Sequence, residues 1–260
     1  MFEKIKTLLS KIKTERPLIL NLTNYVTMDF IANGLLSLGA SPIMSHAIAE
    51  IEDLIKISNV LVVNLGTLDP EFIELCLHAG KLANAWGKPI IFDPVGAGAS
   101  QLRTATCQQF LEDHAVAIIR GNASEIMALA GSALRSKGVD TTIGSSTAIA
   151  SAETLVRLYK TTVIISGETD YIIDANQLSQ FNRGSDIMPL ITGSGCLLTS
   201  LVGAFHAVTS NVLDAASTSC LFYSICGEIA AEKATGPGSF KVHFLDALHS
   251  PPQRKHYEKS

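Results

Sequence analysis

The segment Ile191-Thr-Gly-Ser-Gly-Cys196 runs directly into a long apolar stretch with helical spacing. Two glycines ahead of a helix let the backbone bend until successive N–H groups converge, and the helix macrodipole adds positive potential at the same place. Gly193, Ser194 and Gly195 can therefore cradle a transferring phosphoryl group or an oxyanion. Cys196, in the first helical turn, would have its thiolate favoured by the same field. The competing reading is a glycine turn followed by a core cysteine. His206 cannot pair with Cys196 for nucleophilic catalysis, because ten residues of helix separate them by roughly 15 Å. His46 and His243 remain open as partners.

Three other stretches carry usable polar groups. In Arg120-Gly-Asn-Ala-Ser-Glu125, at a strand-to-helix junction, Asn122 and Glu125 are three apart. That spacing suits a hydrated Mg²⁺ beside a nucleotide phosphate. It suits a helix capping box equally, and both can hold together, since a capped helix start is a rigid place for a ligand. Asp93, at a strand's carboxyl end before Pro94, is a candidate metal or water ligand, or else a turn-starting residue bonded to its own backbone. Asn21-Leu-Thr-Asn-Tyr-Val26, with Asn33 following, supplies amides, which suit a neutral polar heterocycle. Asn24 and Asn33 read equally as satisfied loop and helix groups. A P-loop, a G-x-S-x-G elbow and an H-E-x-x-H motif are absent, and Gly96-Ala-Gly98 lacks the third glycine of a dinucleotide fingerprint.

These residues need elements that gather them. Apolar runs at Pro17–Asn21, Asn59–Asn64, Lys88–Asp93, 115–119 and 162–166 predict strands. Helical patterns lie between them, over Met1–Lys13, Val26–Leu38, Pro70 to about Trp86, 101–112, 122–130 and 147–160. Tyr171–Asp174 and Gln177–Phe181 predict a hairpin, and the chain is helical after Gly193 with breaks near Asn211 and Gly236–Gly238. Strands apolar on both faces and separated by helices imply one parallel sheet covered on both sides. Ligands bind beyond the carboxyl ends of such strands, at the loops starting from Asn21, Asn64, Asp93, Arg120 and Ser166.

Composition narrows the classes. The chain has 260 residues, 47% apolar and 17% charged, with a net charge of −4. Disorder needs the opposite balance, and the absence of a basic block argues against a nucleic-acid partner. No uninterrupted apolar run reaches the roughly 18–20 residues of a membrane span, and Met1–Lys13 lacks a signal-peptide core, so a cytoplasmic protein is expected. Five cysteines without paired spacing predict free thiols rather than disulfides or zinc ligands.

Taken in register, Asn21-Leu-Thr-Asn24-Tyr-Val, Asp93-Pro-Val-Gly-Ala-Gly98, Arg120-Gly-Asn-Ala-Ser-Glu125 and Gly193-Ser-Gly-Cys196 resemble the ribokinase-like superfamily. Within it the chain is similar to the hydroxyethylthiazole kinases of thiamine biosynthesis, from Pro17 to about Leu248. Ribokinase-like kinases typically carry Gly-Ala-Gly-Asp at the start of the long helix, and the thiazole kinases have cysteine in the Asp position. Ser194 departs from their usual threonine or alanine, a change that leaves the backbone donors in place. The resemblance implies an α/β fold, a ribokinase-like open, mostly parallel central sheet with helices on both faces. Residues 1–249 would be a single kinase domain and 250–260 a flexible tail.

It further implies ATP-dependent phosphorylation of the primary hydroxyl of 4-methyl-5-(2-hydroxyethyl)thiazole. Met44 and Gly193 would contact the thiazole, with Asn24 lining the same pocket. Arg120 and Ser166 would hold ATP, and Asp93 and Glu125 would organise Mg²⁺ and its waters. Cys196 would sit near the substrate hydroxyl as base or orienting group. The family resemblance also implies a homotrimer with pockets at subunit interfaces. Rival readings are a kinase for another small alcohol, an ATP/ADP-dependent hydrate dehydratase (whose anion hole looks like Gly-Ser-Gly-Asp), a non-catalytic nucleotide sensor, and a cysteine hydrolase using His46 or His243.

Overall fold

A computed structural model describes residues 1–131 and 144–258. Its strands are β1 (Leu18–Leu22), β2 (Ser41–Met44), β3 (Val60–Asn64), β4 (Ile90–Asp93), β5 (Ile118–Asn122), β6 (Thr162–Ser166), β7 (Asp170–Ile173) and β8 (Leu178–Phe181). They form one sheet in the order β2-β1-β3-β4-β5-β6-β7-β8. Pairing is parallel through β6, after which β7 and β8 turn back as the expected antiparallel hairpin.

Parallel neighbours need long crossovers, and helices supply them. The helices are α1 (Phe2–Glu15), α2 (Met28–Leu38), α3 (Ile51–Ile57), α4 (Pro70–Ala85), α5 (Gln101–Asp113), α6 (Ala123–Leu129), α7 (Ile149–Tyr159), α8 (Ser194–His206), α9 (Val212–Lys233), α10 (Pro237–His249) and α11 (Arg254–Tyr257). Local chemistry sets their ends. Asp69 accepts the Phe72 N–H at 2.7 Å ahead of Pro70, which has no N–H to lose. Asn211 caps α9, and Gly39 closes α2 in the left-handed region.

Side chains alternate across the strands, so one sheet builds two cores. Val60 and Val62 of β3 join a cluster with α1, α2, α8, α9 and α10, while Leu61 and Val63 join one with α3 to α7. Both faces being covered explains why these strands read as continuous apolar runs. Fully buried Leu197, Leu201, Val202 and Phe205 lock α8 into the first cluster. Each is worth roughly 1.5–3 kcal/mol of burial, enough to hold the start of α8 fixed relative to the strand ends.

Three regions differ from the sequence expectation. Residues 40–58, where apolar periodicity predicts no element, form β2 and α3. The Ser-Pro-Ile-Met segment is short and contains Pro42, which is tolerated because β2 is the edge strand. The strand expected at 115–119 is displaced to Ile118–Asn122. Arg120, Gly121 and Asn122 do not look like strand residues, yet their backbones pair with Ile164, Ile165 and Ser166. Finally, the expected frayed tail contains α11, where the Arg183 guanidinium donates to the His256 carbonyl at 2.8 Å and Tyr257 packs on Phe2.

Candidate active site

The chain enters α8 through Gly193 at φ 89°, a left-handed conformation that favours glycine. A Cβ there would also meet Thr27 Cγ2 at 2.7 Å. The first helical hydrogen bond runs from the Leu197 N–H to the Gly193 carbonyl at 2.8 Å. The Ser194 N–H donates to the Ile191 carbonyl at 3.5 Å, whereas the N–H groups of Gly195 and Cys196 precede the helix's own bonding pattern at its positive end. Tyr223 of α9 donates to the Ser194 carbonyl and braces this turn.

Directly against that cradle lies a guanidinium. A Cβ on Gly195 would fall 2.5 Å from Arg120 Nη1, so glycine here is a condition for the close approach. Arg120 Nη1 lies 3.7 Å from Asp93 Oδ2, with the Asp93 side chain fully buried. Arg120 also donates to the Ser166 hydroxyl. Burial alone would lower the Arg120 pKa, but the carboxylates of Asp93 and Glu125 reverse that and hold it charged. Asp93 Oδ2 accepts from Thr199 Oγ1 at 2.7 Å and Asn64 Nδ2 at 2.9 Å. Among the described residues, Asp93 Oδ1 and Arg120 Nε are buried without a partner, as is Thr27 Oγ1 beside Gly193. Native interiors rarely leave such groups orphaned, so a charged pair with unmet hydrogen-bonding capacity beside a helix start is suited to a polar ligand.

On the other side, Asn24 Nδ2 donates to Asn64 Oδ1 at 2.8 Å and reaches Cys196 Sγ at 3.5 Å. The helix field was expected to favour the Cys196 thiolate. Burial overrides it: desolvation, with a contribution from the Asp93 charge, raises the thiol to about 11, against the smaller pull of Arg120 and the two amides. Cys196 is a neutral thiol at physiological pH. It can donate or accept a hydrogen bond but is a poor base.

Asn122 and Glu125 form the capping box. Asn122 Oδ1 accepts the Glu125 N–H at 2.9 Å, and Glu125 Oε2 accepts the Asn122 N–H at 2.8 Å. Glu125 Oε1 accepts the Gly96 N–H at 2.9 Å, tying α6 to the loop after β4. A further clamp comes from Arg103 of α5, which donates to the carbonyls of Leu65, Gly66 and Val95 at 2.9–3.1 Å. It fixes the loops after β3 and β4 to each other.

Glycines 193 and 195, Ser194, Cys196, Asn24, Asp93, Arg120, Ser166 and Glu125 thus converge at one end of the sheet. Met44 closes β2 opposite Asn21 in register and packs on the same apolar cluster as Cys196. Asn33 does not join them; its amide donates to Asp29, one turn back on α2. His46 is stacked between Tyr25 and Phe72, and His243 faces Asp246 at 3.9 Å. Among the described residues, the side chains that hydrogen-bond Cys196 Sγ are the amides Asn24, at 3.5 Å, and Asn64, so a cysteine–histidine hydrolase finds no support. Sequence reasoning missed Asn64, Arg103 and Thr199 as site residues. Asn64 ends a strand, the same signal that marked Asp93; Thr199 and Arg103 lie inside helices and carry none.

Two outcomes follow from this geometry. Gly195→Ala should displace the Arg120 guanidinium, weaken binding of the nucleotide that the sequence resemblance implies at least tenfold by calorimetry, and lower the melting temperature because buried Asp93 loses its cation; unchanged affinity would contradict the packing. Burial and the Asp93 charge raise the Glu125 carboxyl from 4.5 to about 7. Folded protein then holds this proton longer than unfolded chain, so the group's contribution to stability is complete below about pH 4.5 and is lost as pH rises through about 7. Relative to wild type, Glu125→Gln should gain stability between pH 5 and pH 8 in urea titrations, and a pH-independent difference would refute it.

A family model described as the hydroxyethylthiazole kinase family matches residues 9–253. The hydroxyethylthiazole kinase of Vibrio parahaemolyticus serotype O3:K6 is 45% identical over 249 residues, covering 96% of this chain and 94% of that protein. Among solved structures, a hydroxyethylthiazole kinase protein from Pyrococcus horikoshii OT3 superposes with a TM-score of 0.90 at 36% identity, covering 100% of this chain and 97% of that one. A ribokinase-like superfamily protein from Enterococcus faecalis V583 has a TM-score of 0.67 at 12% identity, covering 94% and 93%. The last likeness speaks to fold alone, which is α/β and ribokinase-like.

Proposed function

The chain belongs to the hydroxyethylthiazole kinase family, and from that premise we propose how its residues phosphorylate the hydroxyl of 4-methyl-5-(2-hydroxyethyl)thiazole with ATP, the thiamine-biosynthetic reaction of the family. The observation that carries the reading is the pair of orphaned atoms, Asp93 Oδ1 and Arg120 Nε, lying with the guanidinium under a glycine-built helix start. Phosphoryl transfer asks a protein mainly for positioning and charge stabilisation, and those are what this cluster supplies.

ATP is held by Arg120 and Ser166, with its terminal phosphoryl group against the N–H groups of residues 195 and 196. The thiazole lies on the side of Asn24, Met44 and Gly193. The substrate oxygen bonds to the γ-phosphorus as the bridge to the β-phosphate breaks and ADP departs. In a loose transition state the hydroxyl proton leaves late, onto an oxygen of the transferred phosphoryl group and from there to water. A thiol raised to about 11 therefore orients the hydroxyl by hydrogen bonding more than it deprotonates it.

The residues present fit a divalent cation. Asp93 has one buried oxygen without a partner, whereas each Glu125 oxygen already accepts a backbone N–H. Asp93 would hold Mg²⁺ directly and Glu125 would act on its water, in keeping with an ion that keeps much of its hydration shell. When bound, Mg²⁺ neutralises charge on the β- and γ-phosphates. Tyr25, Val26, Ile48 and Leu190 are exposed apolar side chains, and the Tyr25–His46 stack and the approach of Thr27 to Gly193 bring the loops that carry them together. That apolar rim favours a homotrimer whose subunits close each other's pockets. Five free cysteines suit the reducing cytoplasm, where we place the protein; no described helix is long and apolar enough to cross a membrane.

A coupled ADP-release assay with and without hydroxyethylthiazole tests the reading. Turnover should depend on that alcohol, and none above the alcohol-free control would refute it. Cys196→Ser should lower kcat by roughly 10- to 100-fold, less than loss of a full general base can cost, with ATP affinity retained. Activity at the background rate with ATP binding intact would instead make the thiol the base.

A further inference from the structure

Asn64, the last residue of β3, touches both halves of the site. Its orientation is determined by chemistry. The Gly66 N–H can only donate, and it lies 3.1 Å from Asn64 Oδ1. Asn64 Nδ2 must then be the end that faces Asp93 Oδ2 at 2.9 Å. Because Asn64 Oδ1 is the acceptor, Asn24 must present its Nδ2 at 2.8 Å, and that same nitrogen is 3.5 Å from Cys196 Sγ. A single backbone N–H therefore sets the direction of two amides in series, from the thiol to the carboxylate.

The chain is also tightly confined. Asn24 and Asn64 are buried, and a Cβ on Gly66 would fall 2.9 Å from Asn24 Nδ2 and 2.9 Å from Asn64 Oδ1. Arg103 holds the Gly66 carbonyl at 2.9 Å from outside. At the carboxylate end, Asn64 and Thr199 both donate to Oδ2, leaving Oδ1 as the oxygen without a partner.

We propose that Asn64 is a positioning residue for phosphoryl transfer: directly and through Asn24 it orients the Cys196 thiol, through Asp93 Oδ2 it aims Oδ1, and it thereby aligns the acceptor hydroxyl with the phosphoryl group. The proposal rests on the kinase reading of the site. It assigns Asn64 no contact with either substrate. Its loss should consequently appear in the rate of transfer rather than in nucleotide binding.

The test uses the full chain. Asn64→Asp keeps an acceptor for Gly66 and Asn24 but loses the donor to Asp93. It should lower kcat at least 30-fold, while the KM for hydroxyethylthiazole changes less than threefold. ATP affinity is read on Asn64→Ser, which loses the donor to Asp93 without adding a charge beside Arg120; measured by calorimetry in EDTA so that no metal contributes, it should stay within threefold of wild type. Asn24→Ala combined with Asn64→Asp should be within threefold of the slower single variant, as residues in one relay require. Should Asn64→Asp fail to fold, Gly66→Ala decides, because it displaces the relay without removing a polar group. It should reproduce the kcat loss with ATP affinity intact. A kcat within threefold of wild type, or loss of ATP affinity in step with kcat, would overturn the proposal. A wild-type enzyme inactive on hydroxyethylthiazole would instead overturn the kinase reading itself.

Discussion

Removing the Asp93 carboxylate wholly from water would cost several kcal/mol if it stood alone. What offsets this is the Arg120 guanidinium at 3.7 Å together with the donors Thr199 and Asn64. Even so, burial keeps the Asp93 pKa above the usual carboxylate range, against the pull of those three partners. The neighbouring Glu125 rises too, burial and the Asp93 charge acting together. The cluster is thus short of positive charge and rich in unmet hydrogen-bonding capacity. A nucleotide's phosphates can be accepted there because the guanidinium and helix start provide for them, and a cation would answer the two carboxylates.

That constraint propagates outward. Arg120 can reach the helix start only because residue 195 has no side chain. The carboxylate of Asp93 keeps its place because β4 is paired to β3 on one side, Asn64 lying opposite Asp93 in register, and to β5 on the other. Arg103 then fastens the loops after β3 and β4 to one another, and Glu125 fastens the second of these to α6. The two apolar layers contribute rigidity rather than chemistry. With both faces of the sheet sealed, the strand ends cannot shift independently, and sub-ångström placement of polar groups becomes affordable in entropy.

Legibility in the sequence followed the same division. Glycines before a helix, a carboxylate ending a strand and a capping pair each have a local reason for their spacing, and Gly193–Cys196, Asp93 and Glu125 could be read from it. Arg120 could be named but not placed, since Arg-Gly-Asn looks like a loop and is the paired end of β5. Thr199 was invisible for another reason: in an apolar helical run, one hydroxyl is indistinguishable from a residue bonding its own backbone, which Thr199 also does through the Gly195 carbonyl at 3.3 Å. Its second bond, to Asp93, joins residues 106 positions apart. Contacts of that range are products of topology and leave no local pattern. Edge strand β2 was lost because half-buried edge segments need little apolar periodicity.

The same electrostatics bears on why a thiol stands at residue 196. Burial and the Asp93 charge already push Cys196 to about 11. A carboxyl group in its place would meet the same desolvation and the same neighbour, and would add a third acid beside two whose pKa values are already raised. To ionise, it would have to draw on the same guanidinium that Asp93 and Glu125 share. A thiol is neutral at physiological pH, fills the space as a small apolar group and still engages one amide at 3.5 Å. In the proposed reading it leaves the positive charge of Arg120 to the phosphates. The cost is basicity, and a reaction whose proton departs late has little need of it.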